Sequence, residues 1–511
     1  MKAPLAEVAD ERSHRLRALG LGAAATIVYL LTAPAVPNLD GLGYIKLLPF
    51  NFAAGHLLFM PALRLVAGLV GDGLRAGRLY DALLGGTGVV LLYSIARRLL
   101  AGRDDDQVRL GATLAAGGLA LSYGYWSEAN DVEAYAAAMV TLLATVRMAL
   151  SFEPHPTLGR AFLVGICLSL CVLSHLSHVL LSFFVAYYLF AHAPKQRWLP
   201  PLIALVTGGT ITIATYAWAA LIIRRHDLAG AMRWIGSAQH GFVSSGGPYR
   251  LADAIYGLAK SLVFSPYLYE ADAQKLIGQF LLGLVPLTAL FVGIMTQRRA
   301  LATLDTTALV WWIAPYTLLG VAFFGADPER WIFVLPAGWV VAAALLLHLP
   351  RPARAGGAVL AWLALFNFAT AIWPAHTDQW PRQKAEATAA LLRDGDLVLF
   401  PGHSWDEYVV FYGKAKIEPF PVAYYAARDG AAACWKRLER ELTSARARGG
   451  RVFVVRVFDD ADEDPRGFWE LSTAGVSKSQ LKAKLSEGMK PVTLTPLEGF
   501  SVTRLDPSPG A

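Results

Sequence analysis

Long apolar runs recur through the first three-quarters of this chain, and no other feature constrains its fold as strongly. They fall near residues 18–36, 77–100, 108–125, 131–150, 160–176, 178–193, 200–222, 275–296, 306–324, 331–349 and 356–374. A helix needs about 20 apolar residues to cross a hydrocarbon core about 30 Å thick. The pattern therefore predicts a polytopic all-α membrane domain over residues 1–375 with about eleven transmembrane helices. Composition agrees, because only 17% of the 511 residues are charged, against about 25% in soluble domains. The charged N-terminal stretch precedes an apolar run with no small-residue cleavage site, which predicts a retained first helix.

Charge sets an expected orientation. From His376 onward there are 19 basic and 19 acidic residues, so the whole excess of +7 belongs to the membrane part. Arg12, Arg15 and Arg17 precede the first run, and Arg97, Arg98, Arg103 and Arg109 flank the second and third. Arg147 and Arg160, Lys195 and Arg197, Arg298 and Arg299, and Arg351 and Arg354 then follow at alternate connections. Basic loops stay cytoplasmic, which places the N-terminus inside and the segment after residue 375 outside, with Arg224 and Arg225 against the trend. Basic residues spaced in this way form no stripe interleaved with aromatics, so no nucleic-acid partner is expected. The three cysteines, Cys167, Cys171 and Cys434, form neither a disulfide framework nor a metal-binding spacing.

The first outer connection is long. Asp40 lies in PNLDGLGYIKLLPF, and the apolar NFAAGHLLFMPALRLVAGLVG is broken by His56, Pro61 and Arg64, which suits a helix in the interface or a re-entrant piece. The connection 223–274 carries GFVSSGGPYR, read as a mobile gate or a further surface helix pair. Beyond residue 375 the pattern changes. A helix at 383–393, a strand at 396–400, a charged helix at 434–448 and a strand within 451–458 predict a small α/β soluble domain over 376–511. His403 and Asp406 read there as loop-surface residues. No glycine-rich phosphate loop follows a strand, so no nucleotide is assigned.

Ionisable groups at a membrane are expensive, so each is a functional candidate by default. On the predicted outer side stand Asp40, His56, Glu128, Asp131, Glu133, His175, His178, Asp327, Glu329 and Arg330. Three of them crowd the turn YWSEANDVEAY at 125–135. In that turn Asn130 is placed to cap the next helix, with Glu133 reaching back in a capping box. On one continuous helix Glu128, Asp131 and Tyr135 would share a face, with Glu133 opposite. His175 and His178, three apart, suit a divalent metal with a carboxylate, or the rim of a sugar or phosphate site. Arg330, expected at the start of a helix, suits bidentate capture of a lipid phosphate or an ion pair with Asp327 or Glu329.

Together these features resemble the membrane-embedded glycosyltransferases with the GT-C fold. They comprise a retained first span, an early outer-loop acid, a W…E-x-Y turn, a late outer arginine in ERWIFVLP and an outer C-terminal domain. The nearest likeness is to the protein O-mannosyltransferase-like and lipid A aminoarabinose transferase-like branches and their bacterial relatives. The resemblance implies that Asp40 is the catalytic base. It places the turn on Trp126, Glu133 and Tyr135, and assigns lipid-phosphate binding to Arg330. Two departures stand out: Gly41 follows Asp40 where many relatives have a second acid, and a downstream His-Pro pattern is reduced to His56 in GHLLFMP. Glu128, Asp131, Glu133, Tyr135, His56, His175, His178 and Arg330 are then expected to bind substrate. The partners implied are a polyprenyl-phosphate sugar donor and a lipid, glycan or protein acceptor, and no metal or other cofactor is assigned. A transporter or flippase acting without covalent chemistry is the alternative.

Overall fold

Helix starts follow local chemistry. Asp72, Asp104, Thr157 and Asp305 each accept a hydrogen bond from the backbone N–H three residues on, at 2.7, 2.9, 3.3 and 2.9 Å, satisfying donors that have no partner within the helix. The computed structural model describes residues 3–47, 54–237, 250–264, 285–286, 288–302, 304–323, 325–402, 405–458, 471–472, 474–498 and 500–508. The expected span 275–296 therefore lies in part outside the described residues, as do His403 and most of GFVSSGGPYR.

The chain divides into two compact units. The first is Met1–Pro34 with Tyr44–Thr377, and the second is Ala35–Gly43 with Asp378–Ala511. In the first unit the leading helices are α1 (Ala3–Leu31), α2 (Leu39–Leu47), α3 (Phe59–Val70), α4 (Gly73–Leu99), α5 (Asp105–Leu121) and α6 (Tyr123–Ala129). They are followed by α7 (Ala134–Leu150), α8 (Leu158–Ser174), α9 (Leu181–His192) and α10 (Leu199–Ala217), with later helices at Thr306–Ala322, Leu335–Leu346 and Pro352–Asn367. Among the described residues three helices are long and apolar enough to cross a membrane: Gly73–Leu99, Leu199–Ile223 and Pro352–Ala390. α6 and α7 together make a fourth if the bent pair is one span. α8, α9, Thr306–Ala322 and Leu335–Leu346 are apolar but shorter, and α3, within the long first connection, has only 12 residues.

α1 and α4 cross at glycines. A Cβ on Gly86 would overlap Thr26 Oγ1 and stand 2.5 Å from the Gly22 carbonyl oxygen. Only a hydrogen at that position lets the two backbones approach, the usual way helices pack where lipid supplies no hydrophobic drive. Large residues then fill the interior around this contact. Tyr29, Tyr93, Tyr125, Trp312 and Trp331 are all essentially inaccessible.

The second unit contains a five-stranded sheet of β1 (Leu397–Phe400), β2 (Glu418–Pro421), β3 (Val452–Val455), β4 (Met489–Leu497) and β5 (Phe500–Pro507). Its order is β2-β1-β3-β5-β4, parallel from β2 to β3 and antiparallel beyond. Side chains alternate across a strand. Thus Leu397, Leu399, Val452 and Val454 enter one core, and Val398, Phe400, Phe453 and Val455 enter the other. Asp396 ties β1 to β3 by accepting from Arg451 Nη2 at 2.7 Å and from the Arg451 backbone N–H at 2.9 Å. Asp406, expected on the surface, is buried in the first turn of helix Trp405–Tyr412.

Candidate active site

The acidic turn is seated on α4. Asp81, fully buried on that helix, accepts the Glu133 backbone N–H at 2.9 Å. One turn earlier, a Cβ on Gly77 would meet both Val132 methyls at 2.6 Å. One turn later, Tyr125 donates its hydroxyl to the Gly85 carbonyl at 2.8 Å. A single α4 face thus grips both ends of the turn, and α6 and α7 meet at 113°.

This overturns two local expectations. Glu133 is extended (φ −141°, ψ 146°) and its side chain makes no capping hydrogen bond, because the capping partners are committed elsewhere. The Asn130 amide donates to the Thr32 carbonyl at 2.9 Å, and Asp81 takes the Glu133 N–H. Nor do Glu128, Asp131 and Tyr135 share a helical face: Glu128 ends α6, Asp131 lies in the bend and Tyr135 opens α7. All three acids of the turn are buried. Asp81 was not singled out from sequence, although a carboxylate inside an apolar run is itself a signal. Trp126 is structural, donating its indole N–H to Thr32 Oγ1 at 3.0 Å.

Tyr135 leads from the turn into a polar cluster, donating its hydroxyl to Glu329 Oε2 at 2.7 Å. Glu329 and Arg330 sit on a 3₁₀ turn, Pro328–Arg330, capped by Asp327, which accepts the Glu329 N–H at 3.1 Å. Arg330 was expected at a helix start, but the next helix begins only at Leu335. The Pro328 turn intervenes and aims the guanidinium, whose Nε stands 3.7 Å from Asp327 Oδ2.

Three histidines complete the cluster. Backbone bonds from Leu176 N to Gly55 O and from Leu58 N to Leu173 O, both 3.1 Å, clip the 55–58 segment to the end of α8. They place the His56 ring 4.8 Å from that of His175, which is 5.5 Å from His178. Phe333 packs on His178 at 4.4 Å, on His175 at 5.2 Å and on Tyr135 at 6.0 Å. His178 bridges Tyr316 Oη at 2.8 Å and the Ala138 carbonyl at 3.1 Å, so both its nitrogens are committed. His175 Nδ1 accepts the Ser177 N–H at 3.3 Å, which puts the ring proton on Nε2 and makes that atom a donor. Among the described residues no three His, Cys, Asp or Glu side chains gather as metal ligands.

Burial, with the nearby Arg330 charge, pushes the His56 pKa down to about 4. Burial, His56, His178 and Arg330 hold His175 well below its ordinary value. Both rings are therefore neutral hydrogen-bonding groups at neutral pH. The sign of the linkage follows. A histidine whose folded pKa lies below the unfolded 6.5 adds stability above pH 6.5 and loses it as pH falls through about 4. The melting temperature of the purified protein is expected to drop across that window. His56→Gln should drop less, by a few degrees, and identical pH profiles for the two proteins would rule out this linkage.

The first unit also holds an apolar cavity of about 250 Å³, with Leu262, Ile313, Val334, Trp339 and Trp362 among its walls and no residue of the polar cluster lining it. Tyr135, His56, His175, His178, Glu329 and Arg330 thus come together, with Glu133 anchored through its backbone N–H on Asp81. Asp40 lies elsewhere in the division of the chain. It occupies the first turn of α2, within the segment that groups with the second unit.

Comparison with known proteins bears on this arrangement. The family described as dolichyl-phosphate-mannose-protein mannosyltransferase matches residues 57–220, which include the acidic turn, His175 and His178 but neither Asp40 nor Arg330. The structure is similar to ArnT from Cupriavidus metallidurans in the apo state, with TM-score 0.59 and 13% identity over 94% of this chain and 96% of that one. It is also similar to the same ArnT bound to undecaprenyl phosphate, at TM-score 0.56, 13% identity and the same coverage. The Archaeoglobus fulgidus oligosaccharyltransferase tethered with an acceptor peptide matches at TM-score 0.50 and 11% identity, over 95% of this chain and 73% of that one. No curated protein matches the chain. At these identities the likeness establishes the fold: this chain has the GT-C fold of membrane-embedded glycosyltransferases.

Proposed function

We propose that the protein is an inverting glycosyltransferase that moves a sugar from a polyprenyl-phosphate donor to an acceptor hydroxyl at the extracytoplasmic membrane face. The observation that carries this reading is the cluster itself. A guanidinium, a carboxylate-bound tyrosine and two neutral histidines gather around the aromatic face of Phe333, in a unit that also holds an apolar cavity. Such a set suits a ligand with an anionic group, hydroxyls and a lipid chain. The ArnT structure bound to undecaprenyl phosphate and the mannosyltransferase family match support the donor class.

In this reading the N-terminus is cytoplasmic and the C-terminal domain extracytoplasmic, with about eleven spans between them. Asp40 takes the proton of the acceptor hydroxyl as its oxygen attacks the anomeric carbon. The bond from that carbon to the phosphate oxygen breaks, and the electron pair leaves with polyprenyl phosphate. Arg330 stabilises the charge that develops on the phosphate. The His175 Nε2–H and the His56 Nδ1 acceptor bind sugar hydroxyls, while Glu128, Asp131 and Glu133 shape the wall behind Tyr135.

The test is transfer by purified protein from a labelled polyprenyl-phosphate sugar, following released polyprenyl phosphate and the anomeric configuration of the product. Inverted product with stoichiometric lipid phosphate is the expected outcome. Movement of intact donor across a vesicle membrane without any covalent product would instead establish the transporter alternative.

A further inference from the structure

The stretch between α1 and α2 is a non-helical strap, and four of its carbonyls accept from side chains of distant elements. Thr32 O accepts from Asn130 at 2.9 Å, Ala33 O from His376 Nδ1 at 2.7 Å, and Pro34 O from Arg78. Pro37 O accepts from the Tyr408 hydroxyl at 3.0 Å, across 371 residues of chain. The sequence APAVPN explains the need. Its two prolines carry no N–H and keep the strap out of a helix, so its carbonyls need donors from outside. Asn38 then starts α2, its Oδ1 accepting the Gly41 N–H at 2.7 Å, and Asp40 follows within that first turn.

The last of these anchors belongs to the C-terminal unit. Tyr408 lies on helix Trp405–Tyr412, packed on the core face that includes Val398, Phe400 and Phe453. Residues 35–43 group with this unit, although the helices on either side of them in sequence belong to the other. Only Asn38 and Leu39 separate Pro37 from Asp40, a distance over which one fixed peptide and one helix cap leave few backbone torsions loose.

We propose that Tyr408 is a positioning residue for Asp40, and that holding the Asp40 strap is a function of the C-terminal domain. The inference rests on the reading of Asp40 as the base. A residue that orders the strap before substrate arrives raises turnover by alignment and leaves donor affinity unchanged.

The experiment uses the full chain. Tyr408→Phe removes one hydroxyl and keeps the ring. It is expected to lower kcat about five- to tenfold with the donor KM unchanged within about twofold, and to speed amide hydrogen exchange in residues 35–43 by a similar factor. Asn38→Ala, which removes the cap from the other end of the strap, should give the same split if Tyr408→Phe folds poorly. Unchanged exchange over 35–43 overturns the anchoring, and faster exchange with unchanged kcat overturns the positioning role. Asp40→Asn in parallel separates the two claims. An active Asp40→Asn enzyme removes Asp40 as the base, whereas an inactive one beside a fully active Tyr408→Phe enzyme removes only Tyr408.

Discussion

Asp40→Asn is expected to reduce sugar transfer about 10²- to 10⁴-fold, the usual contribution of a positioned general base. Asparagine keeps the shape and a hydrogen-bond acceptor but takes up no proton at neutral pH. The loss should therefore appear in kcat while donor binding persists. Transfer to a more acidic acceptor, such as a phenol, should recover part of the rate, because such a nucleophile needs less help in losing its proton. The α2 cap stays in place, since Asn38 and not Asp40 accepts the Gly41 N–H. The decisive measurement is the ratio of kcat values for an ordinary and an acidic acceptor. Full activity in Asp40→Asn with the ordinary alcohol would end its assignment as base.

The second large effect is at Arg330. Replacing it with alanine is expected to cost about 10²- to 10³-fold in kcat, the typical loss when one preorganised charge stabiliser is removed. Arg330→Lys should recover only part, because a lysine ammonium is a point charge without the planar fork that meets a phosphate at two oxygens. An independent signature accompanies the change. Arg330 is one cause of the depressed pKa of both His56 and His175, so its removal should raise the imidazole titration of both rings, readable by ring-proton NMR of selectively labelled protein. A rate loss with unchanged histidine titration would mean that Arg330 acts away from this cluster.

Why some of this was visible in the sequence and some was not has a physical basis in particular residues. Apolar runs announce membrane helices with no knowledge of their neighbours, which is why α4, α7 and α10 fall close to where hydropathy puts them. The cap expected at Asn130 failed because capping is a local rule that tertiary partners can outbid. Thr32 and Asp81, distant in sequence, took the two groups concerned. Asp81 itself was hidden by the apolar run around it. In the C-terminal domain β1 and β3 announce themselves as apolar stretches with both faces buried. The strand β2 is written EPFP, and its two prolines argue against a strand except at a sheet edge, which is where it lies. β4, at the other edge, carries two prolines and mixes exposed with half-buried residues, so it lacks the apolar run of β1 and β3. The candidate residues His56, Tyr135, His175 and Arg330 were legible as types near one surface. Their convergence depends on the 55–58 clip to α8 and on the Pro328 turn, and neither has a sequence signature.

The glycine crossing of α1 and α4 also bears on how the protein is made. α1 is synthesised well before α4 and must wait without its partner. Its final seat exists only once Gly86 arrives. The strap that follows α1 cannot be drawn into place earlier, because Arg78 and Asn130, two of the donors that hold it, are on or beyond α4. Its remaining donors, His376 and Tyr408, come later still. The strap is thus fixed only after its last donor has been made, so a stalled chain holds residues 32–37 without the hydrogen bonds that order them.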